Sequence, residues 1–273
     1  MSARPTGGRP APAYALTSRI YDQIYAWKDY RAEAARIRQW VREYGPPHPR
    51  TLLDVACGSG SHLAHLSRRF EATGVDLDAG MLRVARKKLP AVRWVRGRME
   101  TFRLARKFDV ITCLFSAIGY VRNERELRRT IANFARHLEP GGVAIVEPWL
   151  TRRAYHPGSV HVGTFGSPEF PIVRMHASER RGNRSILDMH HLVGTPRGVR
   201  YWVEHHDLGM FSVGTYFSAF RAVGLRPRFL AKGLMKGRGV YIAVRPGAAA
   251  SRTARRSARP IRGSSSSRPT RGS

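Results

Sequence analysis

The sequence feature that most constrains the fold of this chain is the run Thr51-Leu-Leu-Asp-Val-Ala-Cys-Gly-Ser-Gly60. Apolar residues surround Asp54, the chain turns through two glycines, and the apolar residues that follow recur at helical spacing. This order predicts a buried strand, a glycine turn and a helix whose first backbone N–H groups are open to a ligand. Glycine in the turn lets that ligand approach the backbone closely.

A second strand is predicted to end at Asp76, 16 residues after Gly60. That spacing is close to the one at which a carboxylate binds ribose hydroxyls in doubly wound sheets. The third glycine of the dinucleotide fingerprint is absent, because Leu63 stands there. The carboxylate of Asp54 would repel a pyrophosphate but suits a cofactor that carries an ammonium group, such as S-adenosylmethionine (SAM). A nicotinamide-dependent oxidoreductase is therefore disfavoured.

Six stretches carry a resemblance to a known family. They are Ile20-Tyr-Asp-Gln-Ile-Tyr25, Lys28-Asp-Tyr30, Leu53-Asp-Val-Ala-Cys-Gly58, Thr112-Cys-Leu-Phe-Ser-Ala-Ile-Gly119, Val146-Glu-Pro-Trp149 and Gly237-Arg-Gly239. The third of them is similar to motif I of class I SAM-dependent methyltransferases. Together they resemble the N,N-dimethyltransferases that act on nucleotide-linked amino sugars in macrolide biosynthesis, the desosamine and mycaminose enzymes. The resemblance runs from about residue 14 to residue 245.

The resemblance and the spacing of the carboxylates together assign a candidate site. Residues expected to bind SAM are Tyr21, Asp54, Ala56, Gly58, Gly60, Asp76, Leu77, Met99 and Phe115. Tyr14 and Tyr120 are expected near the reacting amine, and Glu147, Trp149 and Arg238 are expected to bind the substrate. In the family resembled, the N-terminal segment folds over the cofactor, and an arginine that Arg238 resembles contacts the diphosphate. An arginine fork suits phosphate oxygens.

Two departures from the family pattern fall within this site. Arg98 stands where relatives carry an aspartate that would accept a hydrogen bond from the adenine amino group. Tyr120 stands where relatives carry a histidine. Methyl transfer to an amine needs proximity and alignment, and a base is helpful rather than obligatory. Because tyrosine has an ordinary pKa of roughly 10, Tyr120 is either a hydrogen-bonding group that orients the amine or a packing substitute.

The rest of the sequence predicts alternating strands and helices, then hairpins, then a final helix and strand pair. Predicted helices are 14–27, 30–44, the segment after Gly60, 79–89, 124–138 and 212–223. Predicted hairpin strands are 172–178, 185–193 and 199–208, and the last antiparallel pair is 227–231 with 240–244. Four histidines fall on the hairpin strands, His190, His191, His205 and His206, each a structural residue or a base near the amine. The fold predicted is α/β: a doubly wound, seven-stranded, Rossmann-like class I methyltransferase sheet with an inserted antiparallel lid.

Three segments are predicted: a disordered leader (1–13), a methyltransferase domain (14–246) whose lid covers 150–210, and a disordered Arg/Ser-rich tail (247–273). The formal charge of +29 falls only to +22 when the seven arginines of residues 251–273 are removed, so the body is basic as well. Such a charge attracts polyanions non-specifically, and it also favours a diphosphate substrate. An RNA-associated protein, or a methyltransferase acting on another small molecule, therefore stays open as an alternative.

The remaining composition narrows the class of protein. Two cysteines, Cys57 and Cys113, give no disulfide framework, and the eleven histidines show no metal-site spacing. No run of 18 apolar residues is present, and the N-terminus lacks the apolar segment of a signal peptide. These features favour a cytoplasmic enzyme that needs no metal. A homodimer is expected from the relatives alone.

Overall fold

The computed structural model describes residues 17–247. The predicted leader, Tyr14 and all of the predicted tail except residue 247 lie outside the described residues. The eleven strands are β1 Thr51–Val55, β2 Glu71–Asp76, β3 Arg93–Arg96, β4 Phe108–Cys113, β5 Leu138–Val146, β6 Val160–Ser167, β7 Phe170–Arg181, β8 Arg184–Thr195, β9 Gly198–Gly209, β10 Arg226–Leu230 and β11 Val240–Val244. The six α-helices are α1 Tyr21–Ile24, α2 Tyr30–Tyr44, α3 Leu63–Leu66, α4 Ala79–Lys88, α5 Glu124–His137 and α6 Val213–Ala222.

Seven strands form one sheet in the order β10-β11-β5-β4-β1-β2-β3. The five strands β1 to β5 pair in parallel, and β11 runs antiparallel to both β5 and β10. The chain thus winds outward from β1 in both directions, which confirms the predicted doubly wound sheet. In such a sheet the crevice for a ligand lies beyond the carboxyl ends of the parallel strands.

The sheet is buried on both faces, as the near-continuous apolar strands predict. Leu53 of β1 and Ile111 of β4 belong to a core that α5 and α6 cover with Phe134 and Phe220. The intervening residues, such as Leu52, face a second core that contains Trp40 of α2. Because side chains alternate along a strand, each of these strands contributes to both cores.

Capping residues place three helices where the sequence predicts them. The side chains of Asp29, Asn123 and Ser212 each accept a hydrogen bond from the backbone N–H three residues later, which satisfies a donor at the start of α2, α5 and α6. Two predictions were too long. The segment after the glycine turn contains only the four-residue α3, and the described part of 14–27 contains a 3₁₀ turn at Thr17–Arg19 followed by α1.

Tertiary contacts explain the short α1. The ring of Tyr25, which follows α1, packs edge-on against Phe115 with 4.9 Å between centroids, and its hydroxyl accepts a hydrogen bond of 2.9 Å from Arg174. These contacts tie the N-terminal segment to the ends of other elements, and tertiary packing of this kind overrides a local helical pattern.

Strands β6 to β9 form a separate antiparallel sheet in that order. The three predicted hairpin strands are present and longer than predicted, and the turns at Gly182 and Gly198 join them as expected. Strand β6 was not predicted. The domain limits 150–210 remain a prediction, although the antiparallel sheet itself occupies 160–209.

Buried charges attach the N-terminal segment to the glycine turn. Glu33 accepts hydrogen bonds from Lys28 and from His62, and His62 lies directly after the turn in the chain. The distance from His62 Nε2 to Glu33 Oε2 is 2.7 Å. Although burial alone would raise it, these two partners hold the pKa of Glu33 below its ordinary value. Asp22 adds a second attachment, because its Oδ1 accepts from Ser59 Oγ at 2.6 Å.

Replacing Glu33 tests how much this attachment contributes. We expect Glu33→Gln to lower the free energy of unfolding by about 3 kcal/mol, because the side chain of Lys28, only 1% exposed, loses its counter-charge. Urea unfolding followed by circular dichroism measures the loss. The double variant K28M/E33L should lose less than E33Q, since no buried charge is left unpaired.

The exposed residue Glu124 gives a matched control. It pairs with Arg128 on the surface of α5 at 3.7 Å, and exposed pairs contribute less than about 1 kcal/mol. Equal effects of Glu33→Gln and Glu124→Gln would contradict a stabilising role for the buried attachment.

Candidate functional site

A cavity of about 750 Å³ opens at the carboxyl ends of β1, β2 and β4. Seven of the nine residues predicted to bind SAM line it: Tyr21, Ala56, Gly58, Asp76, Leu77, Met99 and Phe115. A second cavity of about 40 Å³ shares five wall residues with the first and adds Asp54. The structure therefore brings eight of the nine predicted residues to one place, and Gly60 lies outside both walls.

Glycine is required at the two positions of the turn for different physical reasons. Gly58 has a φ of +56°, and a Cβ there would meet no protein atom within 4 Å, so this side of the turn is open toward a ligand. Gly60 has a φ of +76°, and a Cβ there would lie 2.7 Å from the ring of Trp94. Packing against Trp94, rather than ligand approach, requires glycine at position 60.

Two carboxylates face the cavities from neighbouring strands. Asp54 accepts a hydrogen bond of 2.7 Å from Thr112 Oγ1, and burial raises its pKa to about 7. Burial also raises the pKa of Asp76, whose two oxygens accept from the backbone N–H groups of Asp78 and Gly58 at 2.8 Å. A cationic or hydroxyl-bearing ligand would offset the free-energy cost of burying the charges of Asp54 and Asp76.

The wall of the large cavity also holds a carboxylate that the sequence analysis did not predict. Glu100 lines the large cavity, and its Oε1 accepts a hydrogen bond of 3.1 Å from the exposed Arg98. Arg98 stands where the resemblance led us to expect an aspartate, and Glu100, two residues farther along the chain, places an acceptor in the cavity wall. The sequence showed that position 98 is not an aspartate. Only the turn of the backbone after β3 reveals that Glu100 reaches the cavity.

The loop after β4 has an unusual backbone that a buried carboxylate supports. Phe115 and Ser116 have φ values of 51° and 60°, which non-glycine residues seldom adopt. The fully buried Glu147 accepts from Phe115 N at 2.6 Å and from Met235 N at 3.0 Å. Glu147 lies outside the walls of both cavities and holds two loops in place, and its contact with the substrate stays a prediction.

Arg238 and Trp149 lie together beside this loop. The guanidinium of Arg238 donates to Ser116 Oγ at 2.8 Å and stands 4.6 Å above the ring of Trp149. The indole N–H of Trp149 donates to Ser185 of β8 at 2.8 Å, which links the group to the antiparallel sheet. These two predicted substrate residues are thus adjacent to each other and to Phe115, although neither lines the large cavity.

Tyr120 lines the large cavity and pairs with a histidine of β9. Its hydroxyl lies 2.7 Å from Nδ1 of the buried His206. His205 also lines the cavity, and its Nδ1 lies 2.6 Å from Asp188. His190 pairs with Tyr201 and His191 stacks on Trp202, and neither lines either cavity. The sequence placed all four histidines on hairpin strands but did not distinguish between them.

The described residues hold neither a metal-site cluster nor a helix suited to span a membrane. Within residues 17–247, no group of three or more His, Cys, Asp or Glu side chains is arranged to hold a metal ion. No helix in the same range has the length and apolar character needed to cross a bilayer. The walls of the large cavity contain the carboxylates of Asp76 and Glu100 together with Tyr120, and Asp54 lines the adjoining small cavity.

Comparison with known proteins identifies close relatives. Residues 52–142 match the family model described as a methyltransferase domain. The chain is 39% identical to the dTDP-3-amino-3,4,6-trideoxy-alpha-D-glucopyranose N,N-dimethyltransferase of Streptomyces venezuelae over 82% of this chain and 96% of that protein. It also resembles the crystal structure of Streptomyces venezuelae DesVI, with a TM-score of 0.79, 39% identity, and coverage of 84% of this chain and 98% of that one.

The chain also resembles a solved structure that contains bound SAM. The SAM-bound amino pentose methyltransferase of Micromonospora echinaspora, involved in calicheamicin biosynthesis, gives a TM-score of 0.75 at 32% identity, covering 87% of this chain and all of that one. This similarity extends beyond the parallel sheet, because the coverage includes most of the described residues.

Replacing Glu147 tests its support of the loop after β4. We expect Glu147→Gln to speed hydrogen exchange at the amides of Phe115 and Met235 by about tenfold, because an amide side chain has only one acceptor oxygen for the two N–H groups. Amide exchange measured by mass spectrometry or NMR checks this. The surface variant Glu124→Gln is the control, and unchanged protection at both amides would contradict the role.

Proposed function

The chain belongs to the family of SAM-dependent methyltransferases that includes the N,N-dimethyltransferases of dTDP-linked amino sugars, and we propose that it methylates the amine of a nucleotide-linked amino sugar. It is an enzyme with SAM as its cofactor. The observation that carries the substrate class is Arg238, held beside Ser116 and Trp149 at the end of β4. The sequence identity with the Streptomyces venezuelae dimethyltransferase supports the same class.

The residues of the two cavities fit SAM by their chemistry. When bound, SAM supplies a methyl group activated by a positively charged sulfur. We assign Asp54 to the ammonium group of the amino-acid part and Asp76 to the ribose hydroxyls. Met99 would cover the adenine ring, and Glu100 would accept from its amino group in place of the family's aspartate. The open side of Gly58 leaves the turn accessible to the cofactor.

Arg238 is the proposed anchor for the diphosphate of the substrate. A guanidinium binds phosphate oxygens through two parallel N–H donors, and contact with the ring of Trp149, 4.6 Å from its centroid, restrains the Arg238 side chain. Its hydrogen bond to Ser116 keeps it next to the loop that carries Phe115. The amino sugar would then extend toward Tyr120 in the wall of the large cavity.

The chain's residues contribute alignment rather than covalent chemistry. An amine attacks only through a free lone pair, so the site must hold the nitrogen unprotonated and aimed at the methyl group. His205 lines the cavity beside Asp188 and is the described histidine best placed to take up the amine proton. Tyr14 lies outside the described residues, and its role near the amine stays a prediction. So do the cytoplasmic location, a homodimer, and polyanion binding by the tail 247–273.

Product mass tests the proposed reaction directly. Purified enzyme, SAM and dTDP-3-amino-3,4,6-trideoxyglucose should yield sugar nucleotide that is heavier by one or two methyl groups. Arg238→Ala should raise KM about tenfold or more while changing kcat less, because the arginine binds the substrate at a point remote from the reacting nitrogen. Simple amines and RNA are the comparison substrates. Methylation of RNA, with none of the sugar nucleotide, would overturn the proposal.

The pKa of Asp54 predicts how cofactor affinity depends on pH. Because burial raises that pKa to about 7, the carboxylate is ionised above pH 7 and increasingly protonated below it. We expect the affinity for SAM to fall by up to about tenfold per pH unit as the pH drops below 7. Isothermal titration calorimetry between pH 6 and 7.5 measures this, together with the proton released on binding.

Two variants decide whether Asp54 is responsible. Asp54→Asn should bind SAM more weakly and without this pH dependence, whereas Glu124→Gln should keep the wild-type profile. A steep fall in affinity that persists in Asp54→Asn would show that another group governs the titration.

A further inference from the structure

We propose that Arg174, on strand β7 of the antiparallel sheet, is a second phosphate-binding residue that acts together with Arg238 on the diphosphate of the substrate. This inference rests on the proposed function, because it concerns the same nucleotide-linked substrate. The two arginines belong to different parts of the fold, since Arg238 lies in the loop before β11.

Aromatic rings hold the side chain of Arg174 in place. Its Cζ lies 5.3 Å from the ring centroid of Tyr25 and 5.2 Å from that of Phe165. Among the described residues its guanidinium makes one hydrogen bond, from Nη1 to the Tyr25 hydroxyl at 2.9 Å. Contact with aromatic rings restrains a guanidinium without using its N–H donors. Most of the donors of Arg174 are therefore left for water or for a ligand.

Arg174 also lacks a counter-charge within the part of the chain that the structure describes. It forms no ion pair there with a carboxylate, although it is half-buried. Two other arginines of the same sheet do form such pairs. Arg181 pairs with Glu179 at 2.8 Å, and Arg184 pairs with Asp207 at 2.6 Å. A partly buried cation without a partner is unfavourable, and a bound anion would remove that cost.

The proposed anchor Arg238 has an environment of the same kind. Its guanidinium is close to the ring of Trp149 and donates to the hydroxyl of Ser116, and it forms no ion pair with a described residue. Burial lowers the pKa of Arg238, and the charges of Glu147 and Tyr25 act in the opposite direction. Each arginine is thus oriented by an aromatic ring and one hydroxyl, and each keeps donors for an anion.

Tyr25 connects the surroundings of the two arginines. Its hydroxyl accepts from Arg174, and its ring packs edge-on against Phe115 with 4.9 Å between centroids. The residue after Phe115 is Ser116, which accepts from Arg238 at 2.8 Å. Both guanidinium groups therefore lie close to the contact between the N-terminal segment and the loop after β4.

Two arginines from separate elements suit a diphosphate group. Each phosphate carries negative charge and offers oxygens to a guanidinium fork. With Arg238 on one phosphate, Arg174 binds the neighbouring one, so the antiparallel sheet takes part in substrate binding. We therefore expect an amino sugar 1-phosphate, which has a single phosphate, to be methylated with a lower kcat/KM than the nucleotide-linked sugar.

A purely structural role for Arg174 has to be distinguished, because the residue also attaches β7 to the N-terminal segment. Arg174→Gln removes the charge and the fork but keeps an N–H donor for the Tyr25 hydroxyl. Tyr25→Phe removes the hydrogen bond but keeps both the ring and the arginine. If Arg174 only attaches the sheet, Tyr25→Phe is the more harmful change. If it binds phosphate, Arg174→Gln is the more harmful one.

Calorimetric titration of thymidine diphosphate (dTDP) into enzyme saturated with S-adenosylhomocysteine tests the proposal. We expect about tenfold weaker binding for Arg174→Gln and less than about threefold for Tyr25→Phe. Arg174→Lys should fall between wild type and Arg174→Gln, because lysine keeps the charge without the fork. Equal binding by wild type and Arg174→Gln, or an equal loss in Tyr25→Phe, overturns the proposal.

Two measurements separate a local loss from a general one. The affinity for S-adenosylhomocysteine should be the same in every variant, since none of them changes a residue assigned to the cofactor. Arg180 lies farther along β7 and is exposed, so Arg180→Gln makes the same change in net charge at a distance. It should bind dTDP like wild type. A loss equal to that of Arg174→Gln would mean that net charge alone governs affinity, which contradicts the proposal.

Arg238→Ala in the same titration distinguishes this inference from the proposed function. Weaker dTDP binding by Arg238→Ala, with none for Arg174→Gln, contradicts the role of Arg174 and leaves the proposed function intact. Failure of the wild-type enzyme to bind dTDP also overturns the role of Arg174, and the product mass then decides the proposed function separately.

Discussion

The two hydrogen bonds that Glu147 accepts from backbone N–H groups hold together the part of the molecule where the site forms. One bond supports the left-handed backbone of Phe115, and the other fixes the loop at Met235 that leads to Arg238. A buried carboxylate without partners is very unfavourable, so these bonds constrain both loops at once. The side chain of Glu147 therefore links the cavity wall at Phe115 to the loop that carries the proposed phosphate anchor, Arg238.

The parallel sheet supplies the carboxylates, but other elements complete the enclosure. Asp22 and Glu33 attach the N-terminal segment to the glycine turn, and this brings Tyr21 to the cavity. From the opposite side, β9 brings His205 to the cavity and His206 to Tyr120. Because both covering elements are held by polar contacts, which are directional, these contacts help to determine the geometry of the site.

Both departures from the family pattern are matched by a residue elsewhere. Arg98 removes an acceptor at the expected position, and Glu100 places a carboxylate in the same cavity wall while pairing with Arg98. Tyr120 stands where the resemblance led us to expect a histidine, and the ring of His206 lies behind the tyrosine hydroxyl. In both cases a side chain with the expected chemical group, a carboxylate or an imidazole, lies nearby at a different position in the chain.

The sequence by itself determined the sheet, the starts of α2, α5 and α6, and the convergence of Asp54 and Asp76. These features depend on local periodicity, capping chemistry and the rule that parallel strands end at one edge. Only the tertiary structure decided that Glu147 supports loops, that Gly60 accommodates Trp94, and that His206 rather than its three neighbours meets Tyr120. Those outcomes depend on contacts between residues far apart in the chain, such as the 86-position separation of Tyr120 and His206, and on the pleat of β9. Neighbouring residues of a strand point to opposite faces, so a shift of one position in register would exchange His205 and His206.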